Sequence, residues 1–195
     1  MSPALWRPEH SPAAVIVAPA PDDFAATRPI APDRLAPITA RADTENGVHI
    51  LLDDPDGRHR LWLIQDEQAR GSAFLIPFDD DFSARLHSLQ RLHRRLTGQR
   101  AGPPLRSLQL SPLQRTRLTL LVRALDGEKA GASRREIATV LLDADARRIP
   151  AIEWKNAALR KKVNRIVASA VELMNGGYLK LLRGDPVRAK RFRRR

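Results

Sequence analysis

Between residues 155 and 165 the sequence sets Lys155, Asn156, Arg160, Lys161, Lys162, Asn164 and Arg165. Lysines and arginines at this density supply cationic donors for phosphate oxygens. A guanidinium also matches the major-groove edge of guanine, and a carboxamide that of adenine. Arg134 and Arg135 follow Ser133 in "GASRREIATVLL" (131–142), and Arg191 and Arg193 stand in the terminal run "VRAKRFRRR" (187–195). The chemistry these residue types point to is capture of a polyanion. Lys155 and Asn156 are expected near base edges, Lys161 and Arg165 with their neighbours on the phosphates, and the tail on further phosphates or in a minor groove.

The other polar constellations read as structure. Asp79-Asp80-Asp81 are consecutive, so their carboxylates diverge, and they precede a helix, where acids are favoured. Asp54-Pro55-Asp56-Gly57 lacks the later ligands and closing glutamate of a calcium loop. His87 and His93 fall on different sides of one helix, and His93 is expected to be a satisfied buried histidine. The chain has no cysteine, no P-loop, no dinucleotide fingerprint and no nucleophile elbow. Neither an enzyme nor a cofactor is expected.

The net charge of +12 is uneven. Residues 1–83 hold 7 Lys and Arg against 14 Asp and Glu, whereas residues 84–195 hold 27 against 8. A preference for Arg over Lys explains the type of cation but not the asymmetry, which favours a nucleic-acid partner. There is no apolar run of about 18 residues and no leader-like start, so a cytoplasmic protein with no membrane partner is expected.

Those cations need a scaffold, and the hydrophobic periods describe one. "AAVIVAPA" (13–20) and "SAFLIPFD" (72–79) read as strands, and residues 47–64 read as a hairpin turning at Asp54–Gly57. Residues 21–40, rich in Pro, Ala and Asp, read as surface connection with room for one helical turn. Phe82, Leu86, Leu89, His93 and Leu96 then mark one face of a helix that Gly98 ends. A helix from Ser111 to Asp126 follows, with Leu118, Leu121, Val122 and Leu125 inward. A second begins at the capping box Ser133–Glu136, with Ile137, Val140 and Leu141 inward. A third spans 151–174 with Leu159, Val163, Ile166, Val167, Ala170 and Met174 as its stripe. On that continuous wheel Trp154 falls outside and Asn156 inside. Core packing of the indole is still favoured, with the regular helix beginning later.

The expected fold is therefore α+β. It comprises an acidic β-rich N-terminal region (1–80), a linking helix (81–98), a linker (99–110), a tri-helical helix-turn-helix module (111–184) and a basic tail (185–195). The third helix is the expected reader.

The stretches "LSPLQRTRLTLLVRALDGEKAGASRREIATVLL" and "EWKNAALRKKVNRIVASAVELMNGGYLKLLRG" resemble the helix-turn-helix domain of a proteobacterial family long labelled as of unknown function. The likeness rests on "RALDG", "AGAS", Trp154-Lys155, Leu159-Arg160 and "GGY", and is specific over residues 108–183. Members occur among regulators of excision and transfer in integrative and conjugative elements. The resemblance implies transcriptional control of such a mobile genetic element, as activator or anti-activator. The expected partners are double-stranded DNA and, through the N-terminal region, another transcriptional regulator or RNA polymerase. The alternative is a protein-binding module that docks on another regulator without reading DNA.

Overall fold

The computed structural model describes residues 7–64 and 71–184. The chain divides into two compact units, one formed by residues 1–109 and 179–195, the other by residues 110–178.

The first unit is built on a five-stranded sheet. Its strands are β1 (Ala14–Pro19), β2 (Ile38–Thr44), β3 (Gly47–Leu52), β4 (His59–Leu63) and β5 (Ser72–Leu75), in the order β2-β3-β4-β1-β5. β1 runs parallel to β4 and antiparallel to β5, and the β2–β3–β4 meander is antiparallel. The β3–β4 hairpin turns where the sequence expects it, with Gly57 at φ +110 and its N–H on the carbonyl of Asp54 at 2.8 Å. β2 overlaps only the last three residues of the connection expected over 21–40, which carries its helical turn at Pro32–Arg34. It is an edge strand whose half-buried residues are alanines, so it shows no apolar alternation.

Helix α1 (Phe82–Leu96) lies on the sheet. Leu92 packs with Val15, Val48, Ile50, Leu52 and Leu61, and Leu89 and Leu96 flank this core. The buried side of α1 meets the apolar stripe read from the sequence only through Leu89 and Leu96. Arg85, Ser88, Arg91 and Leu92 face inward, while Phe82, Leu86 and His93 are exposed. His93 is thus not the buried histidine expected of it.

The inward arginines hold the β3–β4 turn. Arg91 donates to the carbonyls of Gly102 at 2.8 Å, Asp56 at 3.1 Å and Gly57 at 2.9 Å. The Arg95 Nε lies 2.7 Å from the buried Asp54 carboxylate, out of line for a hydrogen bond, so the contact is one of charge. Arg85 chelates Asp79, with Nη2 2.8 Å from Oδ2. Arg100 pairs with Asp56. His59, buried in the same cluster, has its pKa pushed down to about 4, chiefly by burial and then by the Arg91 and Arg95 charges, against which Asp54 acts.

The second unit is helical. α2 (Pro112–Lys129) starts at a capping box between Ser111 and Gln114, continues through Asp126-Gly127, and ends before Gly131 at φ +76. α3 (Arg134–Leu141) starts at the expected Ser133–Glu136 box, with distances of 3.3 and 2.7 Å. The expected third helix is interrupted. α4 (Ala151–Trp154) and α5 (Ala158–Glu172) are separate, with Lys155–Ala157 between them. A π-type turn at Leu173–Gly177 follows α5, and the unit ends at Tyr178, the first residue of α6 (Tyr178–Leu182), whose remaining residues belong to the first unit. The core joins Ala124, Ile137, Ala138, Ala146, Trp154, Val163 and Val167. Val122, Val140 and Met174, expected inside, are exposed.

His59 gives this architecture a pH signature. A histidine with a lowered folded pKa contributes stability that is complete above its unfolded value near 6.5 and is lost as pH falls toward 4. Melting curves should therefore show a loss approaching about 2 kcal/mol between neutral pH and pH 5. The variant His59→Gln should flatten this slope.

Candidate nucleic-acid interface

The outer face of α5 follows from what its inner face must bury. Val163, Val167 and Ala170 are buried, and with 3.6 residues per turn this turns Lys161, Lys162, Asn164 and Arg165 to the exterior. All four are exposed. Among the described residues, no ion pair engages Lys161 or Lys162. The Arg165 Nε donates to the Lys161 carbonyl at 3.2 Å, which lays this guanidinium back along the helix beside Lys161.

Trp154 sets this register. Nine residues separate it from Val163, which is two and a half helical turns, so one straight helix would place the two on opposite sides. Both are buried. The break at Lys155–Ala157 reconciles them: α4 turns the indole into the core, and α5 begins anew after Ala157, whose ψ of 134 is non-helical. The same break moves Asn156 from the inward side of the ideal wheel to an exposed position, with Lys155 exposed beside it. These two residues sit in a turn ahead of α5, not in its first turn. Arg160 ties that turn to the helix by donating from Nη1 to the Lys155 carbonyl at 3.2 Å.

Arg134 and Arg135 stand apart from this cluster in what they touch. Arg134 forms an ion pair with Glu128 near the end of α2, its Nη2 2.9 Å from Oε1. Arg135 lies over the Trp154 ring with its Cζ 5.3 Å from the centroid. Both are half-buried and brace the helices against one another. Arg191 and Arg193 lie outside the described residues. Sequence pattern does not single out Arg115 and Arg123 on α2 or Arg147 after α3, yet all three are exposed cations, and none is ion-paired among the described residues. Their signal was charge alone, spread over elements read for their apolar stripes.

The charge of this unit is more modest than the sequence blocks suggest. Residues 110–178 hold 13 Lys and Arg against 7 Asp and Glu. Of the remaining excess, eight cations fall in residues 179–195, and in α1 Arg85, Arg91 and Arg95 are turned onto the acidic N-terminal region. Among the described residues no group of three or more His, Cys, Asp or Glu is arranged to hold a metal, and no helix is long and apolar enough to cross a membrane. The arrangement offers an exposed helix with cations and a carboxamide on one face, held by a core that fixes its rotation.

Replacing Trp154 by alanine should cost about 3–5 kcal/mol in a thermal or denaturant melt, because it empties the centre of the helical core. Arg135→Ala should cost only about 0.5–1 kcal/mol, the scale of an exposed cation–π contact.

A comparison with curated proteins returns no match. Two protein-family models match the chain. Residues 13–74 match a domain family of unknown function. Residues 75–183, more than half of the chain, match the RovC DNA-binding domain model, described as "T6SS, Transcription factor, DNA binding domain". That match covers α1 through α6 and includes the whole exposed face of α5, and its class is a transcription factor, not an enzyme. The chain belongs to the RovC DNA-binding domain family of transcription factors.

Proposed function

We propose that this chain regulates transcription by docking α5 in the major groove of double-stranded DNA. The observation that carries this reading is the outer face of α5, where Lys161, Lys162, Asn164 and Arg165 are exposed on a helix whose opposite side is fixed in a core. Lysines and Arg165 hold phosphates on both sides of the groove, and Asn164 and Asn156 are the groups able to read adenine. Lys155, presented ahead of the helix, reaches a base edge or an adjacent phosphate. Arg160, Arg134 and Arg135 contribute chiefly by holding the α4–α5 turn and α3 in place. The tail residues Arg191 and Arg193 add salt-sensitive phosphate contacts.

The proposed targets are genes of an integrative and conjugative element, in line with the family that the sequence resembles. The family description instead names type VI secretion. Chromatin immunoprecipitation of the tagged chain separates these gene sets directly. The N-terminal unit would contact another regulator or RNA polymerase at the bound promoter.

One observation favours a second reading, in which the helical unit docks on another regulator. Leu113, Val122, Val140 and Ile152 are large apolar residues that remain exposed on it, at 81, 57, 69 and 79%. Such side chains suit a protein contact better than a phosphate backbone.

The salt dependence of DNA binding tests the assignment. Each phosphate contact removed should lower the slope of log affinity against log salt by about 1. The double variant Lys161→Ala/Lys162→Ala should weaken binding to all duplexes and reduce the slope by about 2. Arg135→Ala should leave the slope unchanged. Unaltered affinity in the double variant would move the interface off α5 and support the protein-docking reading.

A further inference from the structure

Burying Trp154 has a second consequence in α4: it turns Ile152 outward. Ala151–Trp154 form one helical turn, and the winding runs on past it. Lys155 keeps helical dihedrals (φ −55, ψ −37), and the Asn156 N–H donates to the Glu153 carbonyl at 3.1 Å. Residues three and four apart on such a turn are neighbours, so Ile152, Lys155 and Asn156 share one side. Trp154, about 200° round from Ile152, takes the other. The burial agrees: Trp154 is in the core, Ile152 is 79% exposed, and Lys155 and Asn156 are exposed.

The outward side of this turn is chemically mixed. Within five residues it carries a branched apolar chain, an ammonium and a carboxamide. Of the four apolar side chains most exposed on the helical unit, Leu113, Val122 and Val140 stand on α2 and α3, whereas Ile152 stands in the turn that leads into α5. Glu153 is exposed on the flank, about 100° from Ile152. Its carboxylate disfavours a phosphate beside it and leaves the shared side to base edges.

An A·T pair offers what that side can use. In the major groove adenine presents N7 and N6–H₂, which one carboxamide meets with two hydrogen bonds, and thymine presents an apolar C5-methyl. Given the DNA-reading function proposed above, on which this rests, we infer that Ile152 is a specificity-determining residue. It packs on the C5-methyl of a thymine next to the adenine that Asn156 reads. Cytosine in that place lacks the methyl and sets an N4–H₂ donor against the apolar side chain, so the contact also rejects G·C. Lys161 and Lys162 position the helix on phosphates and carry no such discrimination. A protein partner covering Ile152 would be indifferent to thymine methyl groups.

Replacing thymine by uracil tests this, because deoxyuridine keeps the charge and pairing of thymidine and lacks only the methyl. Affinity of the full chain is measured by fluorescence anisotropy for three ligands: the promoter duplex upstream of its own gene, the same duplex with deoxyuridine at every thymine, and a scrambled duplex. The native chain should bind the uracil form about fourfold more weakly for each methyl it contacts. Ile152→Ser changes an exposed side chain, so its melting curve should match the native one. It should bind the thymine form more weakly by the same factor and treat the two forms alike. Ile152→Val, which keeps a branched apolar end, should retain the difference, and Lys161→Ala/Lys162→Ala should weaken both forms equally. A native chain that prefers the promoter to the scrambled duplex but binds its thymine and uracil forms alike overturns the inference and leaves DNA reading intact. A difference that persists in Ile152→Ser overturns it equally. A native chain with no preference among the three duplexes removes DNA reading itself, and the role of Ile152 with it.

Discussion

The burial of Trp154 is the constraint on which the proposed DNA-binding surface depends. The indole shares a core with Ala124 of α2, Ile137 and Ala138 of α3, and Val163 and Val167 of α5. An unbroken helix cannot bury both Trp154 and Val163, because they would lie on opposite sides. The chain therefore breaks at Lys155–Ala157, and the break fixes the rotation of α5. Everything proposed for Lys161, Lys162, Asn164 and Arg165 follows from that rotation. Arg135 over the indole and Arg160 on the Lys155 carbonyl stiffen the same junction. A cluster of cations becomes an ordered surface because an aromatic side chain and two arginines behind it fix the backbone.

Arginine plays two roles in this chain, and net charge does not separate them. On α1 it holds structure: Arg91 gathers carbonyls of the β3–β4 turn, Arg95 opposes a buried Asp54, and Arg85 chelates Asp79. A buried guanidinium is tolerated when its donors and charge are met. The steep change of charge near residue 83 therefore marks the point where the acidic sheet and its arginine-bearing helix adjoin in sequence. It does not mark the edge of a basic domain.

Much of the fold was legible because its signals are local. The β3–β4 hairpin follows from alternation about Asp-Pro-Asp-Gly, α1 from its apolar period, and the start of α3 from a capping box that forms as read. The α+β class follows from the order of those elements. β2 escaped because its half-buried positions are alanines, although the Asn46-Gly47 pair beside it was a turn signal. The stripe of α1 was visible, but its role was not: apolar period finds a face and cannot say whether the sheet or something else will cover it. The arginines inside were invisible because their partners are backbone carbonyls distant in sequence, such as those of Asp56 and Gly57. For the site, the cations of α5 could be named from sequence, whereas the engagement of Arg134 and Arg135 depends on Glu128 and Trp154 arriving from other helices.

The central claim is that the helical unit, with its core-fixed α5, reads DNA. The most direct measurement is a fluorescence-anisotropy titration of the full chain against the promoter duplex upstream of its own gene and against a scrambled duplex of equal composition, at two salt concentrations. The account predicts tighter binding to the promoter, with a preference that persists at about 0.15 M salt. Equal, weak binding to both duplexes that vanishes as salt rises would contradict it.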